Sequence, residues 1–168
     1  MLMSESMKCL LEFYGIDDIV KTAHIPSRVG RYNIWTKSDS LGRTYWGAMD
    51  FCGIDRDGAY GDKNLGWLEW DGNEVYMSVQ SDTKVSALLK RSAGIMKYWK
   101  KQLKRNWPEI PFIIFASYSN NLEDREEDEE IFHSVTMRFF AVRDGDTLLD
   151  FEEMRNNQQP VMWLYCNS

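Results

Sequence analysis

The chain has 168 residues and a net charge of −6, with an apolar fraction of 43% and an aromatic fraction of 14%. This apolar content excludes a disordered chain and predicts a packed core, and the length suits one globular domain over residues 1–168. The negative charge argues against a general nucleic-acid-binding domain, because such domains are normally basic.

The numbers and spacing of cysteine and histidine argue against disulfide bonds and zinc sites. Cys9, Cys52 and Cys166 form no C-x-x-C pair, so neither a disulfide framework nor a zinc ribbon is expected. Reduced thiols fit a cytoplasmic protein, and we find no apolar run typical of a signal peptide or a membrane span. His24 and His133 are the only histidines, which excludes a three-histidine zinc site. Because P-loop and serine-hydrolase motifs are missing too, we expect no cofactor and no metal site.

Short helices and two hairpins are predicted in the first half of the chain. A helix capped by Ser4 or Ser6 is expected to end at Gly15. Aromatic-rich segments then predict four strands in two pairs, at residues 31–36, 43–51, 67–70 and 75–79. The sequence Asp71-Gly72-Asn73 between the last two segments is typical of a tight hairpin turn.

Residues 82–107 form the clearest predicted element, a long amphipathic helix that Ser81 or Asp82 begins and Pro108 ends. With about 100° of rotation per residue, its apolar positions share one face. They are Val85, Leu88, Leu89, Ser92, Ile95, Met96, Trp99, Leu103 and Trp107. The opposite face is basic. Its members are Lys84, Lys90, Arg91, Lys97, Lys101, Lys104 and Arg105.

The last third of the chain predicts three strands and a short helix. The apolar run at 111–118 is typical of a buried strand, and residues 131–142 predict a long strand antiparallel to it. A short helix at about 147–155, for which a hairpin strand is the alternative, and a final strand at 161–165 follow. The expected fold is therefore α+β, with a mostly antiparallel sheet of about five to seven strands, the long helix, and shorter flanking helices.

An acidic run separates the strands predicted at 111–118 and 131–142, and seven of the eight residues 123–130 are acidic. Such charge accelerates association with a basic partner, and aromatic anchors supply affinity. Our leading hypothesis is a non-enzymatic inhibitor that occludes a basic toxin or nuclease. In size, acidity and lack of catalytic motifs, the chain resembles the general type of bacterial toxin-immunity proteins. The expected contacts are Glu126, Glu127, Asp128, Glu129, Trp67 and Trp70. The simpler interpretation is a solvated loop.

The basic helix face offers an alternative function, a nucleic-acid-associated module. Basic side chains on one helix face can contact phosphate groups. The residues proposed for these contacts are Lys90, Lys97, Lys101, Lys104 and Arg105. Two simpler interpretations stay open. The face is solvated, or the acidic run neutralises it within the same molecule.

The Asp- and Gly-rich loop at residues 50–66 gives a second alternative, a small enzyme with its site in that loop. Asp50 and Glu69 are candidates for a pair of catalytic carboxylates. Other aspartates of the loop offer oxygen ligands for a cation, but their spacing does not match an EF-hand. The simpler interpretation is an irregular loop in which Gly and Asp satisfy the local backbone. We favour a protein without catalytic activity.

Overall fold

The computed structural model describes residues 1–28, 30–39, 41–48, 65–122, 130–143, 149–156 and 158–167. They form an α+β fold, as predicted, with a five-stranded sheet, a separate two-stranded sheet and one long helix. Among the described residues, no helix combines the length and the apolar character that a membrane span needs.

Five α-helices and seven strands make up the described fold. The helices are α1 (Glu5–Phe13), α2 (Ile19–Thr22), α3 (Leu65–Gly72), α4 (Val85–Asn106) and α5 (Phe151–Asn156). The strands are β1 (Leu2–Met3), β2 (Ile34–Ser38), β3 (Thr44–Ala48), β4 (Val75–Val79), β5 (Phe112–Asn120), β6 (His133–Ala141) and β7 (Val161–Cys166). A turn of 3₁₀ helix at Asp82–Lys84 leads directly into α4.

The larger sheet has the strand order β1-β7-β5-β6-β4, and every neighbouring pair is antiparallel. Strands β5 and β6 pair along their whole length, from Phe112 opposite Ala141 to Asn120 opposite His133. Strand β4 pairs only with the first half of β6, because its register ends at Val75 opposite Met137. The second half of β6 therefore extends past the end of β4.

The long helix packs on one face of this sheet, and its predicted apolar stripe is confirmed. All positions of the stripe from Val85 to Leu103 are buried, and Trp107 is half-buried. Trp99 is fully buried, packs its ring against Phe139 and donates a hydrogen bond from Nε1 to the carbonyl oxygen of Tyr32 at 2.9 Å. The contact between α4 and the sheet is thus the main hydrophobic core.

The opposite face of the sheet is partly covered by two short helices. Trp70 of α3 packs on the rings of Phe115 and Phe140, with ring centroids 5.2 and 5.8 Å away. Met154 of α5 joins the cluster that contains the fully buried Trp163. A second, smaller core therefore forms on this side.

One predicted strand is wrong. We expected Trp67 and Trp70 on a strand that turns at Asp71-Gly72-Asn73, but the segment from Leu65 belongs to helix α3. A strand buries every second side chain, whereas α3 buries residues spaced three and four apart. These include Leu65, Leu68, Glu69 and Gly72. The following strand, β4, and the other predicted strands are present.

Candidate protein-binding surface

The acidic residues expected to bind a partner lie outside the described residues. These are Glu126, Glu127, Asp128 and Glu129. The structure does describe the residues on either side of them, where Asn121 joins the two strand ends. Its backbone N–H donates to the carbonyl oxygen of Phe132 at 3.3 Å. Its side-chain oxygen accepts from the Phe132 N–H at 2.8 Å, and its Nδ2 donates to the Glu130 carbonyl at 3.1 Å. The base of the acidic run is thus fixed by hydrogen bonds.

Two apolar side chains are exposed at this base. Leu122 is 51% exposed and Phe132 is 39% exposed, and Glu130 beside them is exposed too. Phe132 and Glu130 also line a shallow, mainly polar depression of about 530 Å³ that includes Ser81. Exposed apolar groups beside charged groups are typical of protein-binding surfaces. The sequence hypothesis missed Leu122 and Phe132, although their position on either side of the acidic run was a readable signal.

The two tryptophans of α3 differ in what they offer a partner. Trp67 is 48% exposed on the outer side of the helix. Trp70 is half-buried between aromatic rings, and the guanidinium group of Arg138 lies 4.9 Å from its ring centroid. Trp70 therefore stabilises the fold, and of these two side chains Trp67 is the available anchor.

Helix α3 is held in place by a buried carboxylate. Glu69 is fully buried, and its oxygens accept from the backbone N–H groups of Trp46 at 3.1 Å and Ala141 at 2.7 Å. Arg143 donates to both oxygens, at 2.6 and 3.1 Å, and also to the carbonyl of Thr44 at 3.2 Å. Glu69 and Arg143 therefore connect β3 to the second half of β6.

Asn73, one helical turn further on, makes the same connection. Its side-chain oxygen accepts from the Ala48 N–H at 2.9 Å, and its Nδ2 donates to the carbonyls of Trp46 at 2.9 Å and Phe139 at 3.0 Å. Within the described residues, the two sheets are thus joined by the side chains of Glu69 in α3 and of Asn73 just after it, and not by direct backbone pairing. This arrangement fixes the helix that carries Trp67.

The contacts of Glu69 also concern the enzyme hypothesis, in which this side chain is a candidate catalytic carboxylate. Burial raises the pKa of the Glu69 carboxyl, while Arg143 and the two N–H groups act in the opposite direction. All of its described contacts are structural, so nothing in them presents Glu69 to a substrate. Its suggested partner Asp50, and residues 49–64 of the Asp- and Gly-rich loop, lie outside the described residues. Within the described residues, no group of three or more His, Cys, Asp or Glu side chains is arranged to bind a metal ion.

The basic face of α4 is divided between internal and exposed side chains. The ammonium group of Lys97 donates to the carbonyls of Val20 and Ala23, the latter at 3.0 Å, at the end of α2. Lys90 is half-buried, whereas Lys101, Lys104 and Arg105 are exposed. Lys97 therefore stabilises the packing of α2 on α4, and three of the five proposed phosphate contacts are exposed cations.

Glu130, at the base of the acidic run, and these three cations lie toward opposite ends of α4. Glu130 and Lys84 line the same depression, so the base of the run lies beside the start of the helix. From Val85 to Lys104 the helix rises about 28 Å. Among the basic residues of this face, Lys84 is the one placed beside the base of the run.

A polar cluster around the buried His133 and Tyr118 lies near the base of the acidic run. Nδ1 of the fully buried His133 is 2.7 Å from the hydroxyl of Tyr118, and Nε2 is 2.9 Å from Oδ1 of Asp82, outside hydrogen-bonding angles. Tyr14 donates to the same Asp82 oxygen at 3.3 Å. Burial, Tyr118 and Asp82 all raise the pKa of Tyr14. The cluster ties α1 and the start of α4 to β5 and β6.

Comparison with known proteins adds no assignment. No family model, no curated protein and no solved structure matches this chain.

Proposed function

We propose that this chain is a non-enzymatic protein-binding protein of the inhibitor or toxin-immunity type, which occludes a basic partner such as a toxin or nuclease. The observation that carries the proposal is the base of the acidic run, where Leu122 and Phe132 are exposed and Asn121 fixes the backbone. Acidic side chains between these residues would speed the approach of a basic protein, and the two apolar groups would supply affinity after contact.

Trp67 is the second anchor in this proposal. Its helix is bonded to Ala141 and Phe139, near the end of β6, while the acidic run precedes His133 at the start of that strand. The nine residues of β6 span about 27 Å. An interface of standard size covers about 800 Å² on each partner and is about 30 Å across. One partner is therefore large enough to contact both regions.

The proposed encounter takes place in the cytoplasm. Both cysteines among the described residues, Cys9 and Cys166, are free thiols. Free thiols are typical of a reducing compartment.

A position-specific crosslink tests the proposal. A photoreactive amino acid replaces Phe132 in the full chain, expressed in the cells from which the sequence comes. Phe13, which is 81% exposed on α1, receives the same replacement as the matched control. We expect one basic protein to be crosslinked from position 132 and not from position 13. Equal crosslinking from both positions, or none from position 132, would contradict the proposal.

Affinity measurements with the crosslinked protein then separate the two contributions. Reversal of charge at Glu126, Glu127, Asp128 and Glu129 should weaken binding more than tenfold at low salt and remove most of its salt dependence. Leu122→Ser with Phe132→Ser should weaken binding at every salt concentration, and Phe13→Ser should not. An unchanged dissociation constant and an unchanged salt dependence after charge reversal would refute the electrostatic part.

A further inference from the structure

Strand β4 forms an edge of the larger sheet. Among the described residues it pairs with β6 alone, and Tyr76 on it is 60% exposed. An edge strand presents unpaired backbone N–H and C=O groups that can pair with another strand. Only the residues of β4 whose N–H and C=O groups point away from β6 can bond to another strand.

The bonds to α3 determine that direction. Asn73 reaches the carbonyl of Phe139 and Glu69 reaches the N–H of Ala141, so odd-numbered residues of β6 turn their backbone groups away from β5. In the register of β4 on β6, odd-numbered residues lie opposite odd-numbered residues. The odd-numbered residues of β4 therefore bond to β6, and Tyr76 and Ser78 direct their N–H and C=O groups outward.

Parts of the other edges of the described sheet are short or covered. Strand β1 at the opposite edge is two residues long, and the part of β6 beyond β4 is covered by Glu69 and Asn73. Natural edge strands commonly carry lysine, proline or a bulge against unwanted pairing. The five residues of β4, Val75–Val79, contain no charged residue and no proline. The composition of β4 therefore does not prevent it from pairing with another strand.

We propose that β4 pairs antiparallel with β4 of a second copy of this chain, around a two-fold axis at Met77. In this register Tyr76 of each copy faces Ser78 of the other, so all four outward groups of each strand form hydrogen bonds. Val75 faces Val79, and Glu74 faces the neutral Gln80, so no like charges meet across the new pair. The result is a continuous ten-stranded sheet.

The middle of the long helix leaves room for this pairing. The contacts of α4 are centred on β5 and β6, one to two strands in from the edge, and they extend to β4 and β7. With strands about 4.8 Å apart, the middles of the two copies of α4 would lie roughly 19 Å apart on the same face. A helix with side chains is about 10–12 Å wide, so the middles of the two helices do not collide. A second copy is favoured over an unrelated strand because this register satisfies every outward group of both strands.

Sedimentation equilibrium of the full chain tests the pairing. We expect the mass to approach twice the 19.8 kDa of one chain as the concentration rises through the micromolar range, as for a small interface. Ser78→Pro deletes an outward N–H that β6 does not use, and should weaken the dimer at least tenfold. Tyr76→Lys should also weaken the dimer at least tenfold, and it replaces the proline variant if that variant does not fold. Phe13→Lys is the control of equal charge. A monomer at all concentrations, or a dimer insensitive to both β4 variants, would overturn the proposal.

Disulfide crosslinking tests the register with the same purified chain. In a background without Cys9 and Cys52, one population carries Tyr76→Cys and another carries Ser78→Cys. Paired residues on neighbouring strands have Cα atoms about 5.5 Å apart, within disulfide range. We expect crosslinked dimers mainly in the mixture, and equal crosslinking in each population alone would refute the register. Because the test uses one purified chain, its outcome is independent of the proposed inhibitor function.

Discussion

Gly94 lies in the middle of α4, where the segment that follows α2 crosses the helix. A Cβ atom at this position would lie 2.1 Å from the carbonyl oxygen of His24 and 2.9 Å from its carbon. Both are backbone atoms, so the obstruction cannot be relieved by a side-chain rotation. The glycine costs the helix about 1 kcal/mol in propensity, and the close contact offsets that cost.

We therefore predict that Gly94→Ala destabilises the protein by about 1–3 kcal/mol, despite the higher helix propensity of alanine. Urea unfolding followed by circular dichroism measures the change in the free energy of unfolding. Ser86→Ala on the same helix, where the side chain is half-buried, is the control and should change stability by less than about 0.5 kcal/mol. A more stable Gly94→Ala variant would show that the helix and the crossing segment are not in contact.

Gly47 is a second position where another side chain occupies the space that a Cβ atom would need. It lies opposite Trp35 in the β2–β3 pair, and a Cβ atom there would lie 2.2 Å from the tryptophan ring. The ring thus occupies the space left free by the missing side chain. Neither close contact was predictable, because both depend on which segments meet in three dimensions.

At the scale of elements, the prediction succeeded where one periodicity dominated. Helix α4 has 22 residues, so its apolar face was readable without any knowledge of the sheet. Helix α3 has only eight residues, and its buried set includes the polar Glu69. A buried carboxylate does not contribute to an apolar pattern, so Trp67 and Trp70 favoured a strand by propensity.

The Glu69–Arg143 pair should be strongly coupled, because removal of Arg143 leaves the fully buried Glu69 carboxylate without its ion-pair partner. We predict that Glu69→Gln costs about 3 kcal/mol, and that the double variant with Arg143→Met is less destabilised than the sum of the single variants by about 2 kcal/mol. Urea unfolding of the four proteins of this cycle gives the coupling energy.

The pair of the half-buried Arg138 and the exposed Glu74, which is less buried than the Glu69–Arg143 pair, serves as the control for that cycle. Exposed pairs contribute little, so Glu74→Gln should cost less than about 1 kcal/mol. Additive effects of the Glu69 and Arg143 substitutions would mean that α3 is held by its apolar contacts alone.

For the whole molecule, the distribution of charge is more informative than its sum. The exposed cations Lys101, Lys104 and Arg105 are near the end of α4, and the base of the acidic run is beside its start. Lys104 and Arg105 lie where the helix dipole favours them, since bases are stabilised at the end of a helix, whereas Lys84 stands at its start.

We expect three exposed cations to attract a nucleic acid only weakly against a net charge of −6. We predict no shift of duplex DNA or single-stranded RNA in a gel assay at about 20 mM salt, with protein in the micromolar range. A shift that is lost in the variant with Lys101→Glu, Lys104→Glu and Arg105→Glu would instead favour the nucleic-acid hypothesis. A shift that survives in that variant would point to another surface.

The sequence alone determined the class of the fold, the long helix and most strands, because these depend on local periodicity and on turn residues. It also located the acidic run. Only the tertiary structure decided that Lys97 stabilises α2, that Trp70 is internal, and that Glu69 and Asn73 join two sheets. Such roles depend on contacts between residues far apart in the chain, which a periodic pattern does not record. The tertiary structure also decided that Leu122, Phe132 and the β4 edge are exposed, because exposure depends on which surfaces the rest of the molecule covers.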